Sequence, residues 1–347
     1  MKKKIIIVGS GWGTKGFLDT ISSSDYDIHI VSINKEFEYQ LFFSEGIINN
    51  KIKTSFDLTN KYSNINFIKN KVDDVDFKNN KIITNTNNEI DYDYVIFCHG
   101  SIINDFNIEG VKKYTYSLKN KNDMIILNNT LQKLKKDSHI AVIGCGLTGT
   151  EIIGHLIDCN KYNIHAIDGL TLPLNQFSQS MRLYVKDFWS TKYIHMYFDE
   201  FVKKINKDEI ITHTNNKIKY DLAIWCGGIK IHPLSEIINN KISEINRFGI
   251  PVNKKLMIPT TNNAFACGDC AFTGKPPTAQ VAYQQGCYLG QQFNNKWKNQ
   301  KEFTFNNRGQ ICYIGDRKGI YQNDDIIYKD KIGYSLMKTF KFLIRYF

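Results

Sequence analysis

Two glycine-rich turns set 135 residues apart constrain this chain more than any other feature. The first, Gly9-Ser-Gly11-Trp-Gly13, follows the β-branched run Ile5 to Val8 and precedes a helical stretch to about Ile21. The second, Gly144-Cys-Gly146-Leu-Thr-Gly149, closes the strand IAVIG and opens the helix TEIIGHLIDC. A further strand follows each helix: Ile28 to Ile33 in the first case, IHAID ending at Asp168 in the second. In such a βαβ unit the first glycine permits the tight turn and the second lets the backbone approach a pyrophosphate. The third allows the helix to pack closely on the strand. The helix N-terminus, with its free N–H groups and partial positive charge, then faces the phosphates.

The repetition extends beyond the turns. INFIKNKVDDVDFKNNKIITNTNNEIDYDYVIFCHG and YIHMYFDEFVKKINKDEIITHTNNKIKYDLAIWCGG both read as β-hairpin material leading to a closing strand, and both carry a Tyr-Asp pair just before it. The pattern predicts an α/β fold with two Rossmann-like dinucleotide-binding domains, one inserted in the other. The expected division is 1–107 with 254–300 for the first domain, 108–253 for the second, and 301–347 as a C-terminal segment.

The copies are unequal. In the first, the third-glycine position is Thr14 beside the extra Gly13, and Ser32 and Asn34 stand where an acid commonly meets ribose hydroxyls. The second has all three glycines and an acid, Asp168, at its strand end. A carboxylate there accepts hydrogen bonds from a ribose and repels a 2′-phosphate, so NADH is expected over NADPH.

A formal charge of +11 invites a nucleic-acid reading, but the lysines are spread along the whole chain rather than gathered on one element. No nucleic-acid partner is expected. MKKKIIIVGSG begins like a signal peptide, yet its apolar run is four residues long before glycines interrupt it. A strand explains it better, and no apolar run of about 18 residues exists to span a bilayer. The expected location is therefore cytoplasmic, or peripheral on the cytoplasmic face of a membrane. With no export signal, the eight cysteines are expected as free thiols.

IIIVGSGWGTKGFLDTISSSDYDIHIVS, IAVIGCGLTGTEIIGHL, YDLAIWCGGIKIHP and AFACGDCAFTGKPPTAQVAYQQGCYLGQQF together resemble the type II NADH:quinone oxidoreductases, most closely their fungal and plant branch. The resemblance covers about residues 4 to 335, and the proline–glutamine stretch is its most specific part. It implies a glutathione-reductase-like flavoprotein with FAD on the first copy and NADH on the second, passing electrons to a quinone without pumping protons. Carried over residue by residue, Gly9, Ser10, Gly11, Trp12 and Gly13 hold the FAD pyrophosphate, with Ser32 and Asn34 at the ribose position, Val72 near the adenine and Gly100 after the closing strand. Gly268 and Asp269 bind the ribityl and phosphate side, and Thr278, Ala279 and Gln280 lie against the flavin ring. Gln280 and Gln284 match the quinone-site signature. Gly144, Gly146, Leu147, Thr148 and Gly149 match the NADH turn, Asp168 its strand-end acid and Gly227 the strand-end glycine. Glu151 matches a glutamate near the flavin–nicotinamide contact, where it positions or protonates reacting groups; an ordinary first-turn helix acid is the plain alternative.

Departures and rivals sharpen this picture. CHG and CGG stand where the family has ATG, so His99 is expected as a local substitution, and EYQLFFSEG replaces a proline-containing loop of the flavin pocket. Disulfide reductases of similar plan need a cysteine pair soon after the first turn, and this chain has none before Cys98. Sulfide:quinone oxidoreductases need reactive cysteines, but Cys267 and Cys270 are expected as structural thiols, and no metal site is expected. A soluble reductase with a non-quinone acceptor and a flavin-binding signalling protein, in the manner of apoptosis-inducing-factor relatives, remain as alternatives. In the tail GYSLMKTFKFLIRYF, a helical wheel puts Leu336, Met337, Phe340, Leu343, Ile344 and Phe347 on one face and Lys338, Lys341 and Arg345 opposite. That profile predicts a short amphipathic helix for an anionic membrane surface, or one docked on its own domain or a partner subunit; a homodimer is left open.

Overall fold

The computed structural model describes residues 2–22, 24–243, 246–298 and 301–346, without the side chains of 345 and 346. In chain order, the elements that position the sites are β1 (Lys3–Val8), α1 (Trp12–Thr20), β2 (Tyr26–Ser32), β3 (Ile65–Lys69), β4 (Tyr94–Phe97), β5 (His139–Ile143), α2 (Leu147–Cys159), β6 (Asn163–Asp168), β7 (His195–Phe198), β8 (Leu222–Trp225), α3 (Pro233–Lys241), β9 (Ala264–Ala266), α4 (Ala279–Asn294) and α5 (Asp330–Tyr346). They fall into two compact units. One comprises Met1–Glu38, Ser55–Ile102 and Ile229–Asn306, the other Tyr39–Thr54, Ile103–Gly228 and Asn307–Phe347.

Each unit is built on a parallel sheet. In the first the order is β9-β4-β1-β2-β3, and in the second β7-β6-β5-β8. The strand that ends in a glycine turn is central in both, with the next strand on one side and the closing strand on the other. The β-branched runs follow from this placement, because a central parallel strand is covered on both faces. Ile5, Ile6 and Ile7 are fully buried in one sheet, and Ile140, Ala141 and Val142 in the other.

The hairpin tails form three-stranded antiparallel sheets, Val72–Asp76 with Lys81–Thr84 and Glu89–Asp91, and Val202–Ile205 with Glu209–Thr212 and Lys217–Lys219. Both show a register shift at the same place, Val72/Asp74 and Val202/Lys204. The repeated Tyr-Asp pair has a physical task. The Lys4 N–H donates to Asp93 Oδ2 at 2.7 Å and the Asp93 N–H to the Lys4 carbonyl at 3.0 Å; His139 and Asp221 repeat this at 2.7 and 2.8 Å. Each aspartate thus satisfies a backbone donor near the start of its central strand.

One feature of the second unit was not foreseen. His139, His165 and His195 lie side by side across β5, β6 and β7, with His139 Nδ1 2.8 Å from His165 Nε2 and the His165 and His195 rings stacked at 4.8 Å. Burial, then the neighbouring His195 and His139, holds the His165 imidazole down to about 4; Tyr197 covers it with a ring only. Burial, with Lys341 and Lys338 adding to it, holds His155 on α2 down to about 3. Both folded-state values lie below the ordinary 6.5, so the unfolded chain takes up these protons first as pH falls. Their effect on stability is absent above that value and grows as pH drops towards 4, at most about 1.4 kcal/mol per pH unit for each histidine. Urea midpoints measured across this window should therefore fall with acidification, and His165→Phe should flatten the slope.

Candidate cofactor cradles and their surroundings

The two glycine turns have the same geometry. Gly9 has φ +109° and Gly144 φ +93°; a Cβ on either would fall 2.5 or 2.4 Å from the carbonyl oxygen of Cys98 or Cys226 at the end of the closing strand. The Gly9 and Gly144 N–H groups donate to Val31 and Ile167, at 2.9 and 2.8 Å. A Cβ on Gly11 or Gly146, by contrast, would meet nothing within 4 Å, and neither α1 nor α2 has a side-chain cap. Each turn therefore presents open space and uncapped helix N–H groups, the chemistry that receives a pyrophosphate.

The third position differs for a visible reason. A Cβ on Gly149 would lie 1.9 Å from the Gly144 carbonyl oxygen, whereas Thr14 turns its hydroxyl to the equivalent Gly9 carbonyl at 2.8 Å. Thr14 closes the first turn by a hydrogen bond where the second closes by contact.

Around the first cradle, Ser10 Oγ lies 3.3 Å from Ser32 Oγ, which also accepts the Asn34 N–H. The Asn34 amide donates to Glu38 at 2.6 Å. Trp12 stands edge-on to Phe37 and Tyr283, and Gly13 packs over the Cys267 sulfur. Val72 is buried at the start of its hairpin strand. Gly100 has φ +72° and open space where a Cβ would go. The hydroxyl of Ser101, a residue not foreseen from sequence, donates to Asp269 Oδ2 at 2.8 Å. Thr278 caps α4 by accepting the Val281 N–H, placing Ala279 and Gln280 in the first turn.

The three glutamines in the first two turns of α4 do different things. Gln285, fully buried and not singled out by sequence, accepts the Gly268 N–H at 2.7 Å and donates to Thr273, tying the Gly-Asp turn to the helix. Gln284 makes a two-bond clamp with the backbone of Asn306, donating to its carbonyl and accepting its N–H, both at 2.9 Å. Gln280 is half-buried in the first turn, 3.5 Å from the Gln284 amide.

The sulfurs are quiet. Cys267 faces Cys98, Sγ to Sγ 3.2 Å, and not Cys270, whose thiol points to the carbonyls of Phe97 and Cys267. The contact with Cys98 and burial push the Cys267 thiol up, burial pushes Cys270 up, and burial takes Cys226 to about 12. Such thiols are poor nucleophiles. His99 Nε2 shares a proton with Ser235 Oγ on α3 at 2.8 Å, and burial, with His232 adding to it, holds its imidazole down to about 3, in the neutral form. Among the described residues no group of three or more histidine, cysteine or carboxylate side chains is arranged to hold a metal ion, the stacked histidines of the second unit included.

In the second unit, Asp168 is pinned beside its turn: Oδ2 accepts the Cys145 N–H at 2.6 Å and Oδ1 the Leu170 N–H at 2.8 Å. Leu147 and Thr148 form the first turn of α2, Thr148 exposed, and Gly227 lies over the Trp225 indole, which a Cβ would strike. Glu151, on the same helix, accepts from Ser44 Oγ at 2.8 Å, and Lys341 of α5 lies 3.8 Å from its other oxygen. Lys341 also lies 4.0 Å from Glu45 and over the Phe42 ring. The segment EYQLFFSEG thus delivers a carboxylate and a hydroxyl to the Glu151 neighbourhood. The helical wheel placed Lys341 with the solvent-facing cations; its side chain is only 7% exposed. Two buried-side carboxylates outweigh the preference of an ammonium for water. Met337 is buried and Phe340 half-buried as expected, whereas Ile332, Phe342 and Leu343 face outwards. Phe347 and the Arg345 side chain lie outside the described residues.

Comparison with known proteins finds relatives of the same fold. The chain is 28% identical over 344 residues to a probable mitochondrial NADH-ubiquinone oxidoreductase of Schizosaccharomyces pombe, aligning 84% of itself with 62% of that protein. It is 26% identical to a probable NADH dehydrogenase of Dictyostelium discoideum, covering 93% of itself and 81% of the relative. The chain thus spans about three fifths of the length of the fission-yeast relative. NDH2 of Plasmodium falciparum, solved in complex with NADH, has the same fold, with a TM-score of 0.89 at 22% identity over 99% of this chain and 95% of that one. The relatives' names are of the kind that the sequence resemblance implied. The family model described as pyridine nucleotide-disulphide oxidoreductase matches residues 3–286, a span that contains both glycine cradles and both parallel sheets, and the chain belongs to that family.

Proposed function

We propose that the chain is an FAD-dependent NADH:quinone oxidoreductase that pumps no protons. The observation that carries this is the repeated cradle, two turns of the same geometry in one chain, each open where a pyrophosphate approaches. The residues present fit the two dinucleotides. Gly9 to Gly13 and the start of α1, with Ser10, Ser32, Asn34, Val72, Gly100, Gly268 and Asp269, would hold FAD; Thr278, Ala279 and Gln280 would flank its ring. Gly144 to Gly149, Asp168 and Gly227 would hold NADH. Bound FAD supplies two-electron chemistry, accepting a hydride equivalent and releasing electrons to an acceptor.

The chain's own residues supply position and electrostatics. Uncapped N–H groups at α1 and α2 favour anions. Ser101 fixes the Asp269 carboxylate, and Gln285 fixes the turn that carries it. Glu151, held by Ser44 and Lys341, is the acid we assign to the nicotinamide half of the reaction. An uncharged amide such as Gln280 can hydrogen-bond a quinone carbonyl without the cost of burying a charge. Gln284, whose amide is taken by Asn306, serves as the clamp for the segment behind it. That occupied amide also favours a second reading, a non-quinone acceptor. The outward Ile332, Phe342 and Leu343 of α5, interleaved with Lys331 and Lys338, support contact with an anionic membrane surface. No helix among the described residues is long and apolar enough to cross a membrane.

Asp168→Asn tests the nucleotide assignment. The amide loses the charge and can accept only one of the two backbone N–H groups. The ratio of kcat/KM for NADH over NADPH should fall about tenfold, equivalent to roughly 1.4 kcal/mol. An unchanged ratio would remove Asp168 from the ribose site.

A further inference from the structure

A cluster of charged and phenolic groups gathered around α1 lies outside the residues assigned above to either dinucleotide. Lys15, in the middle of the apolar helix WGTKGFLDT, is 1% exposed. Its ammonium donates to Asp19 one turn on. Asp19 also accepts from the Tyr62 hydroxyl, and from the Tyr283 hydroxyl of α4 at 3.1 Å; the exposed Lys61 lies 3.6 Å away. The Lys15 ammonium sits 5.1 Å from the centre of the Tyr283 ring, and Cys287, one turn further along α4, adjoins both groups. These are the titratable groups that face one another here from α1, from Leu58–Lys61 and the following Tyr62, and from α4.

Burying an ammonium in an apolar helix is costly unless it is paired, and a structural helix has no need of it. Its position suggests a use. Gln280, Tyr283, Gln284 and Cys287 stand at i, i+3, i+4 and i+7 on α4, and all four are half-buried, so they line one stripe of the helix. The Tyr283 ring also meets Trp12, inside the first glycine cradle. Tyr283 therefore stands one turn along α4 from the acceptor amide and donates to a carboxylate whose side chain keeps 15% of its surface in contact with water.

We propose that Asp19 and Tyr283, backed by Lys15, form a proton inlet to the acceptor bound at Gln280, an inference that rests on the quinone reading above. The overall reaction requires one. NADH brings a hydride, two electrons and one proton, and reducing a quinone to a quinol takes two electrons and two protons. One proton must come from solvent. As the O–H bond of Tyr283 breaks, an O–H bond forms on the acceptor oxygen; Asp19 passes the replacement proton, supplied by the Lys15 ammonium or by water. The electrostatics suit this. Burial outweighs Asp19 and draws the Lys15 ammonium below its ordinary range. Burial acts upwards on Asp19, but hydrogen bonds from Lys15 and Tyr62 hold it below the usual carboxylate range. Burial, then Cys287 and Asp19, pushes the Tyr283 phenol up.

The test separates the two half-reactions of the FAD-loaded chain. In Tyr283→Phe and Asp19→Asn, reduction by NADH should keep its rate. Reoxidation by a short-chain ubiquinone should slow about 100-fold, the low end of what a positioned proton donor contributes, and show a larger solvent deuterium isotope effect, because proton delivery becomes the slow step. Asp19→Glu should restore both. Independently of turnover, ring-labelled tyrosine NMR should show the Tyr283 titration moving downwards in Asp19→Asn, because a negative neighbour has gone. Unchanged reoxidation, equal slowing of both half-reactions with the isotope effect intact, or an unmoved Tyr283 titration would overturn the inlet. A wild-type chain that quinone does not reoxidise would instead overturn the acceptor reading, and the inlet would lose its terminus with it.

Discussion

Gly144→Ala should abolish useful NADH binding while leaving flavin content intact. The added Cβ would lie 2.4 Å from the Cys226 carbonyl oxygen, a contact with backbone, and the residue would have to hold φ +93°. Strain of that kind costs about 1–3 kcal/mol, and displacing the closing strand end adds to it. A combined cost of about 3 kcal/mol raises the NADH KM by more than about 100-fold. Gly9→Ala repeats the insult in the other unit, at 2.5 Å from Cys98 oxygen, and there the expected loss is flavin. Steady-state kinetics and the flavin-to-protein absorbance ratio read the two outcomes separately. A variant at Gly144 with wild-type NADH affinity would mean that the second turn holds no dinucleotide.

The second large effect concerns Lys341. Its ammonium lies 3.8 Å from Glu151 and 4.0 Å from Glu45, in surroundings that exclude most water. Removing one partner of a buried ion cluster leaves uncompensated charge, so Lys341→Ala should cost about 3 kcal/mol of unfolding free energy. Adding Glu45→Gln and Glu151→Gln to Lys341→Met should recover most of that loss, as coupled neighbours do in a mutant cycle. Urea unfolding followed by tryptophan fluorescence measures both. Equal losses in the single and the triple variant would show that packing, and not charge, holds α5.

Why the sequence predicted some of these features and not others follows from the range of the forces involved. The βαβ repeats, the central glycine strands and the paired antiparallel tails were all legible, because hydrophobic periodicity and tight turns are local signals. The Tyr-Asp repeat was visible too, although its purpose needed β1 and β5 in place before Asp93 and Asp221 could reach a backbone N–H. Thr14 looked like a defect in the first turn, and its hydroxyl proves to replace a contact by a bond. Lys341 went the other way, and Lys15 carried no local sign of its burial. A helical wheel treats every lysine as a solvent-facing cation, since it knows only its own helix. Their partners lie elsewhere: Glu151 and Glu45 are distant in sequence from Lys341, and Tyr62 and Tyr283 complete the Asp19 network around Lys15. The glutamines show the same limit. One spacing suggested one role for Gln280 and Gln284, but the fold gives Gln284 to Asn306 and gives the unremarked Gln285 to the Gly-Asp turn.

An anaerobic titration tests the central claim most directly. The purified chain, reconstituted with FAD, is mixed with NADH, and a short-chain ubiquinone is then added while the flavin absorbance is followed. The account predicts bleaching by NADH, much weaker bleaching by NADPH, and full recovery of the oxidised spectrum on adding one equivalent of quinone. A chain that retains no flavin, or one bleached by NADH whose spectrum quinone leaves unchanged, would contradict it.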